Sequence, residues 1–160
     1  MTKREPPWKK IAPGSPPYRA AEKKLGMVAV GLLGFDKTIP RKLGDNHGGR
    51  PVKVFAGTNR EEILRRAQAE QPYHECVIVG WVWVRSEAHG KLLKAALDQC
   101  LLGDDGEARL LGRWRECDAH PRTVWDVVIQ DVADQLGRQC EFYSDDERTA
   151  LVQRAAYKGI

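Results

Sequence analysis

The 160-residue chain lacks any apolar run approaching the roughly 20 residues that a bilayer crossing needs, so no membrane span is expected. Its basic first residues lead into Pro and Gly rather than an apolar segment; no secretory signal is visible, and the expected compartment is the cytoplasm. Cysteine is sparse. Cys76, Cys100, Cys117 and Cys140 stand far apart with no C-x-x-C pair, so all four are expected to be reduced and mostly packed. Cys117 and His120 have zinc-ligand spacing with Cys76, Cys100 or Cys140 as possible partners, but one half-motif is weak and no metal site is expected. His47 and His89, beside glycines, read as surface residues. Internal repeats are absent.

What the chain does have is a soluble composition, 42% hydrophobic and 30% charged, with a net charge of +4. The length suits one compact domain with a tail, and the positive balance is compatible with a polyanionic partner. Five of the nine prolines fall within residues 1–24, among many Lys and Arg, and this segment reads as a flexible basic arm able to lie along a phosphate backbone.

Residues 27–35 are apolar and partly β-branched, and they predict a first strand. A turn-rich stretch with Pro40, Gly44, Gly48 and Gly49 joins it to a second strand over 51–56, giving an antiparallel hairpin with a long tip. Thr58 or Asn59 can cap the next helix, which carries Glu61 and Glu62 in its first turn and ends before Pro72. Residues 75–85, rich in Val and Trp, predict a strand at the centre of the sheet. Trp81 and Trp83 share one face of it, the valines take the other, and helices are expected to cover both. A helix over 86–102 sets Leu93, Ala96, Leu97 and Cys100 or Leu101 in a stripe. Beyond Gly112-Arg113-Trp114-Arg115, a helix from Asp118 or Thr123 to Gln135 has Val124, Val127, Val128, Val132 and Leu136 as its apolar stripe, broken by Asp131. A last helix covers 147–157, capped by Ser144 or Asp145.

The expected fold is therefore α/β, or α+β in some schemes: a small, mainly antiparallel sheet of three strands flanked by helices. The organisation is an arm over 1–24, a central domain over 25–118 and a C-terminal helical extension over 119–160 packed on the same core.

Residues 52–58 (Val-Lys-Val-Phe-Ala-Gly-Thr), 68–72 (Gln-Ala-Glu-Gln-Pro), the Val-Trp strand, 93–98 (Leu-Lys-Ala-Ala-Leu-Asp) and Gly112-Arg113-Trp114 occur in an order and spacing that resembles the GIY-YIG nuclease superfamily, nearest to its phage-associated branch. The likeness covers about residues 26–118. It implies two strand tripeptides near a scissile phosphate, an arginine on the first helix and a metal-holding glutamate on the second. Here the first tripeptide falls at Val28-Ala29-Val30. The second falls at Phe55-Ala56-Gly57, or at Lys53-Val54-Phe55, and neither tripeptide has a tyrosine. The arginine falls at Arg65 counted from Gly57, or at Ile63 counted back from Pro72. Lys94 takes the glutamate's place and Asp98 that of the histidine after it.

A lysine at that position repels the cation the reaction needs, by a few kcal/mol at about 4 Å in an intermediate dielectric, while supplying a similar charge itself. The resemblance thus implies a nuclease-like domain that binds nucleic acid, DNA in preference to RNA, without efficient cleavage. Lys53, Arg65, Lys94 and Arg113 are its expected phosphate contacts. Two alternatives stay open. One is a working endonuclease using Mg or Mn, with Arg65 and either Asp98 or Glu87 as catalytic candidates. The other is a protein-interaction or assembly module, with a protein partner on exposed tryptophans or on the helix of the 120s.

Overall fold

The computed structural model describes residues 5–35, 39–40, 48–49, 51–102, 115–116 and 121–159. Three long strands, β1 (Val28–Phe35), β4 (Pro51–Gly57) and β5 (Cys76–Val84), form an antiparallel sheet. Two-residue strands β2 (Ile39–Pro40) and β3 (Gly48–Gly49) pair with each other, and β6 (Arg115–Glu116) adds to the outer edge of β4. The helices are α1 (Pro16–Leu25), α2 (Arg60–Glu70), α3 (Glu87–Leu102), α4 (Pro121–Leu136) and α5 (Asp145–Tyr157). The class is α+β, as expected.

The strand order is β5-β1-β4-β6, so β1 is central and the Val-Trp strand, expected at the centre, lies outside it. The cause is in β1 itself, whose Val30 and Leu32 point to one face and Ala29 and Leu33 to the other, all of them buried. The hairpin runs from Ala29↔Gly57 to Gly34↔Val52. Against β5 the register slips by one residue at Val79, because Leu32 opposes Gly80 and Leu33 opposes Ile78. This bulge lets both β5 half-strands keep their valines on one face and Cys76, Ile78, Trp81 and Trp83 on the other.

On the valine face, α3 and α4 close the largest cluster with Leu93, Leu97, Trp125 and Val132. The α4 stripe is rotated from the expected one: Trp125 and Val132 are buried, whereas Val127 is 55% exposed. Gly80 explains the rotation, since the Trp125 indole lies against its backbone where any Cβ would overlap Nε1 and Cδ1. Arg122 donates from Nη1 to the carbonyl of the bulged Val79 at 2.8 Å, which anchors the first turn of α4 to β5.

The other face carries α2, with Ile63 and Ala67 packed on Leu33 and Phe55, and beside it the pair α1 and α5. Asn59 caps α2 through the Glu62 amide at 2.8 Å, and Gln68 organises the loop after it. The Gln68 amide nitrogen donates to the carbonyls of Gln71 and His74, and its oxygen accepts from the Cys76 amide.

Residues 7–25 are not the arm that their prolines suggest. Pro16 and Pro17 occupy the first turn of α1, where a missing N–H costs nothing, and Pro7 opens a short 3-10 turn. Tyr18 and Ala21 of α1 are buried against Val152 and Ala155 of α5. The buried amide of Gln153 donates to the carbonyls of Lys9 and Ile11, and Arg148 pairs with Glu22 at 2.7 Å. A two-way backbone bridge between Trp83 and Tyr143, 2.8 Å each way, joins the chain entering α5 to the free edge of β5. No helix among the described residues is long and apolar enough to cross a membrane.

Candidate anion-binding groove

Because β4 and β5 both run antiparallel to β1, their C-terminal ends lie at the N-terminal end of β1. The helices that follow them, α2 and α3, therefore both start at this end of the sheet, on opposite faces. Between their first two turns lies an open groove of about 580 Å³, lined by Gly26, Met27, Val28, Ala56, Gly57 and Thr58 from the strand ends, Glu62 and Arg66 from α2, and Glu87, Lys91 and Lys94 from α3. Three cations thus face one space, against two carboxylates.

Packing at two glycines brings the helices this close. A Cβ at Gly57 would come within 2.8 Å of Ile63, and one at Gly90 within 3.2 Å of Val28. Ile63 and Ala67 facing the sheet set the rotation of α2, which turns Arg65 outward and leaves Arg66 at the groove rim. Arg66 donates to the Ala56 carbonyl and its guanidinium lies 5.7 Å from the Phe55 ring, so it is held in place. Likewise Leu93 and Leu97 face the core, and Lys94, one residue on, flanks the groove with no ion-pair partner among the described residues.

Both carboxylates have partners beside the groove. Glu62 accepts from the hydroxyl and the amide of Thr58, and with Arg66 and Arg65 nearby these bonds hold its carboxyl below the usual range. Glu87 lies 3.9 Å from Lys91, an exposed pair one turn apart.

Among the described residues, Lys94 is the one expected phosphate contact that lines the groove. Lys53 points to the α2 face, forms an ion pair with Glu70 at 2.5 Å, and sits four residues back along β4, roughly 13 Å from the groove end. Arg65 is exposed and does not line the groove, and Arg113 lies outside the described residues. Lys53, Arg65 and Lys94 therefore do not converge. Their place is taken by Arg66, Lys91 and Lys94, and the signal for Arg66 was available in the apolar spacing of Ile63 and Ala67.

Of the carboxylates considered for metal chemistry, Glu87 lines the groove. Asp98, about three turns further along α3, does not. No group of three or more His, Cys, Asp or Glu side chains able to hold a metal ion exists among the described residues. Cys117, His120 and His47 are outside the described residues. His89 lies with its Nδ1 3.2 Å from the Ser86 hydroxyl at the start of α3. Cys76, Cys100 and Cys140 are unpaired thiols, and burial pushes each of them up from the usual thiol value, the signature of packing rather than reactivity.

Compared with known proteins, the chain matches no family model, no curated protein and no solved structure.

Proposed function

We propose that this protein binds nucleic acid through its phosphate backbone at the groove between α2 and α3, without efficient cleavage. The observation that carries the proposal is the cluster of Arg66, Lys91 and Lys94 in one groove between α2 and α3, where three positive side chains face two carboxylates. The resemblance to GIY-YIG nucleases supports it from another side. The segments aligned with the two family tripeptides lie next to each other, with Ala29 opposite Gly57 and Val30 opposite Ala56. Lys94, which the resemblance aligns with the family's metal ligand, is one of the three cations lining the groove at the same sheet end. An ammonium group there takes over the charge of the missing metal toward phosphate, while it leaves no ligand to activate water. DNA is the polymer the resemblance favours. Unpaired thiols suit a reducing cytoplasm.

The test is fluorescence anisotropy of labelled DNA at low salt, with plasmid cleavage assayed in parallel in Mg²⁺ or Mn²⁺. Wild type binds and does not cut, and Lys94→Glu lowers affinity about tenfold or more, the effect of reversing one phosphate contact. Equal affinity in Lys94→Glu removes that lysine from the interface. Metal-dependent cutting abolished by Glu87→Ala or Asp98→Ala would establish the endonuclease reading instead.

A further inference from the structure

The groove does not stop at the sheet end. Gly26, Met27 and Thr58 line both it and a second open trough of about 700 Å³, bounded by α1, the start of α2, β5 and the start of α5. Arg19, Lys23, Arg60 and Arg148 stand on its walls with Glu22, Glu61 and Asp145, and Trp81 and Trp83 contribute the aromatic surface.

The two tryptophans differ in how much of them is committed to the fold. Trp83 is buried, its indole N–H donates to Asp145 at 2.8 Å, and the Arg148 guanidinium covers its ring at 4.2 Å. Trp81 is partly exposed, and its indole N–H has no hydrogen-bond partner among the described residues. It leans on Trp83 with ring centroids 5.4 Å apart and a 51° tilt, and the exposed Arg60 lies 5.7 Å from its centroid. Two of the three wall carboxylates are engaged, Glu22 by Arg148 and Asp145 by Trp83. Arg19, Lys23 and Arg60 remain as the cations opposite Glu61.

We propose that this trough binds single-stranded nucleic acid, with an unpaired base stacked on Trp81 beside Arg60, which gives up its place over the ring, while the adjoining backbone runs past Thr58 to Lys94 and Arg66. The inference rests on the phosphate-binding reading of the first groove. It adds the state of the polymer to that reading. An aromatic face beside cations, continuous with a phosphate site, accepts any base as a stacking partner, but only one freed from its duplex. Duplex DNA offers phosphates to Lys94 and Arg66 and no open base to Trp81.

The experiment compares the same sequence as single strand and as duplex, by anisotropy, with wild type, Lys94→Glu, Trp81→Leu, Trp81→Phe and Arg60→Glu, each first checked by thermal melting. Trp81→Leu weakens the single strand about tenfold, the effect of one stacked base, and leaves the duplex unchanged; Trp81→Phe keeps most of the affinity. Arg60→Glu, a change at an exposed position, also weakens the single strand more than the duplex, so it decides the matter should Trp81→Leu not fold. Equal losses for both polymers, or no loss for the single strand, overturn the proposal. If these occur while Lys94→Glu still abolishes binding, the phosphate reading stands alone. If wild type binds neither polymer, both fail.

Discussion

Gly80 holds the place of an indole. The Trp125 ring rests on its backbone, so a methyl group there has to displace either α4 or the outer strand of the sheet. Gly80→Ala is expected to cost ~1–3 kcal/mol, the usual penalty of overpacking a filled core, read as a lowered Tm. Trp125→Leu in the same chain frees the space, so the double variant should lose less than the two single losses added together. Simple additivity would show that the two residues do not meet. The contact also explains what was hard to read from the chain. A run with Val124, Val127, Val128 and Val132 allows several apolar stripes on one helix, and only a vacancy in a distant strand selects the one through Trp125. Arg66 is a different case. The spacing of Ile63 and Ala67 is enough to turn Arg65 outward and leave Arg66 at the groove rim, which neither count along the chain, to Arg65 from Gly57 or to Ile63 from Pro72, picks out.

At the level of elements, the hairpin, α2, β5 and α3 were legible because each has its own period and its own punctuation, from Asn59 as cap to Pro72 as stop. The N-terminal helix was not. Its prolines read as disorder until the partner surface on α5 is known, since Tyr18 and Ala21 have nothing to pack against in their own segment. Strand order was hidden for a similar reason: β5 is as apolar as a central strand because α1, α4 and α5 cover it, not because it has two strand neighbours along its length. Two changes probe these dependencies. Ser144 accepts from the Glu147 amide while Glu147 returns a bond to the Ser144 amide, so Ser144→Ala should cost ~1 kcal/mol and Ser144→Gly only a few tenths. Deletion of residues 1–25 strips Tyr18 and Ala21 from Val152 and Ala155 and removes Glu22 from the largely buried Arg148. It should lower the unfolding free energy measured in urea by an amount of order 3–5 kcal/mol, for an orphaned partly buried charge plus lost apolar contact, and the midpoint with it. A truncated chain as stable as the full one would restore the view of this segment as a dispensable arm.

Across the whole molecule, the excess charge is small, +4 over 160 residues, and general attraction to a polyanion is correspondingly weak. Local arrangement has to supply the affinity. The three groove cations come from helices on opposite faces of the sheet, which is why no window of sequence announces them together. If Arg66, Lys91 and Lys94 each neutralise one phosphate of a single strand, the plot of log affinity against log salt should have a slope of about −2. Affinity would then fall roughly twentyfold between 50 and 200 mM salt. Engagement of Arg19, Lys23 or Arg60 in the neighbouring trough makes the slope steeper. Lys94→Glu should flatten it by about 0.7 or more, because one released counterion is lost and a repulsive charge is added. Gly80→Ala, which alters the core and none of these charges, should leave the slope unchanged in whatever fraction remains folded. Titration by anisotropy at four or five salt concentrations separates these outcomes. A slope near zero in wild type would mean that the groove does not neutralise phosphate, and the cations at the sheet end would then need another ligand.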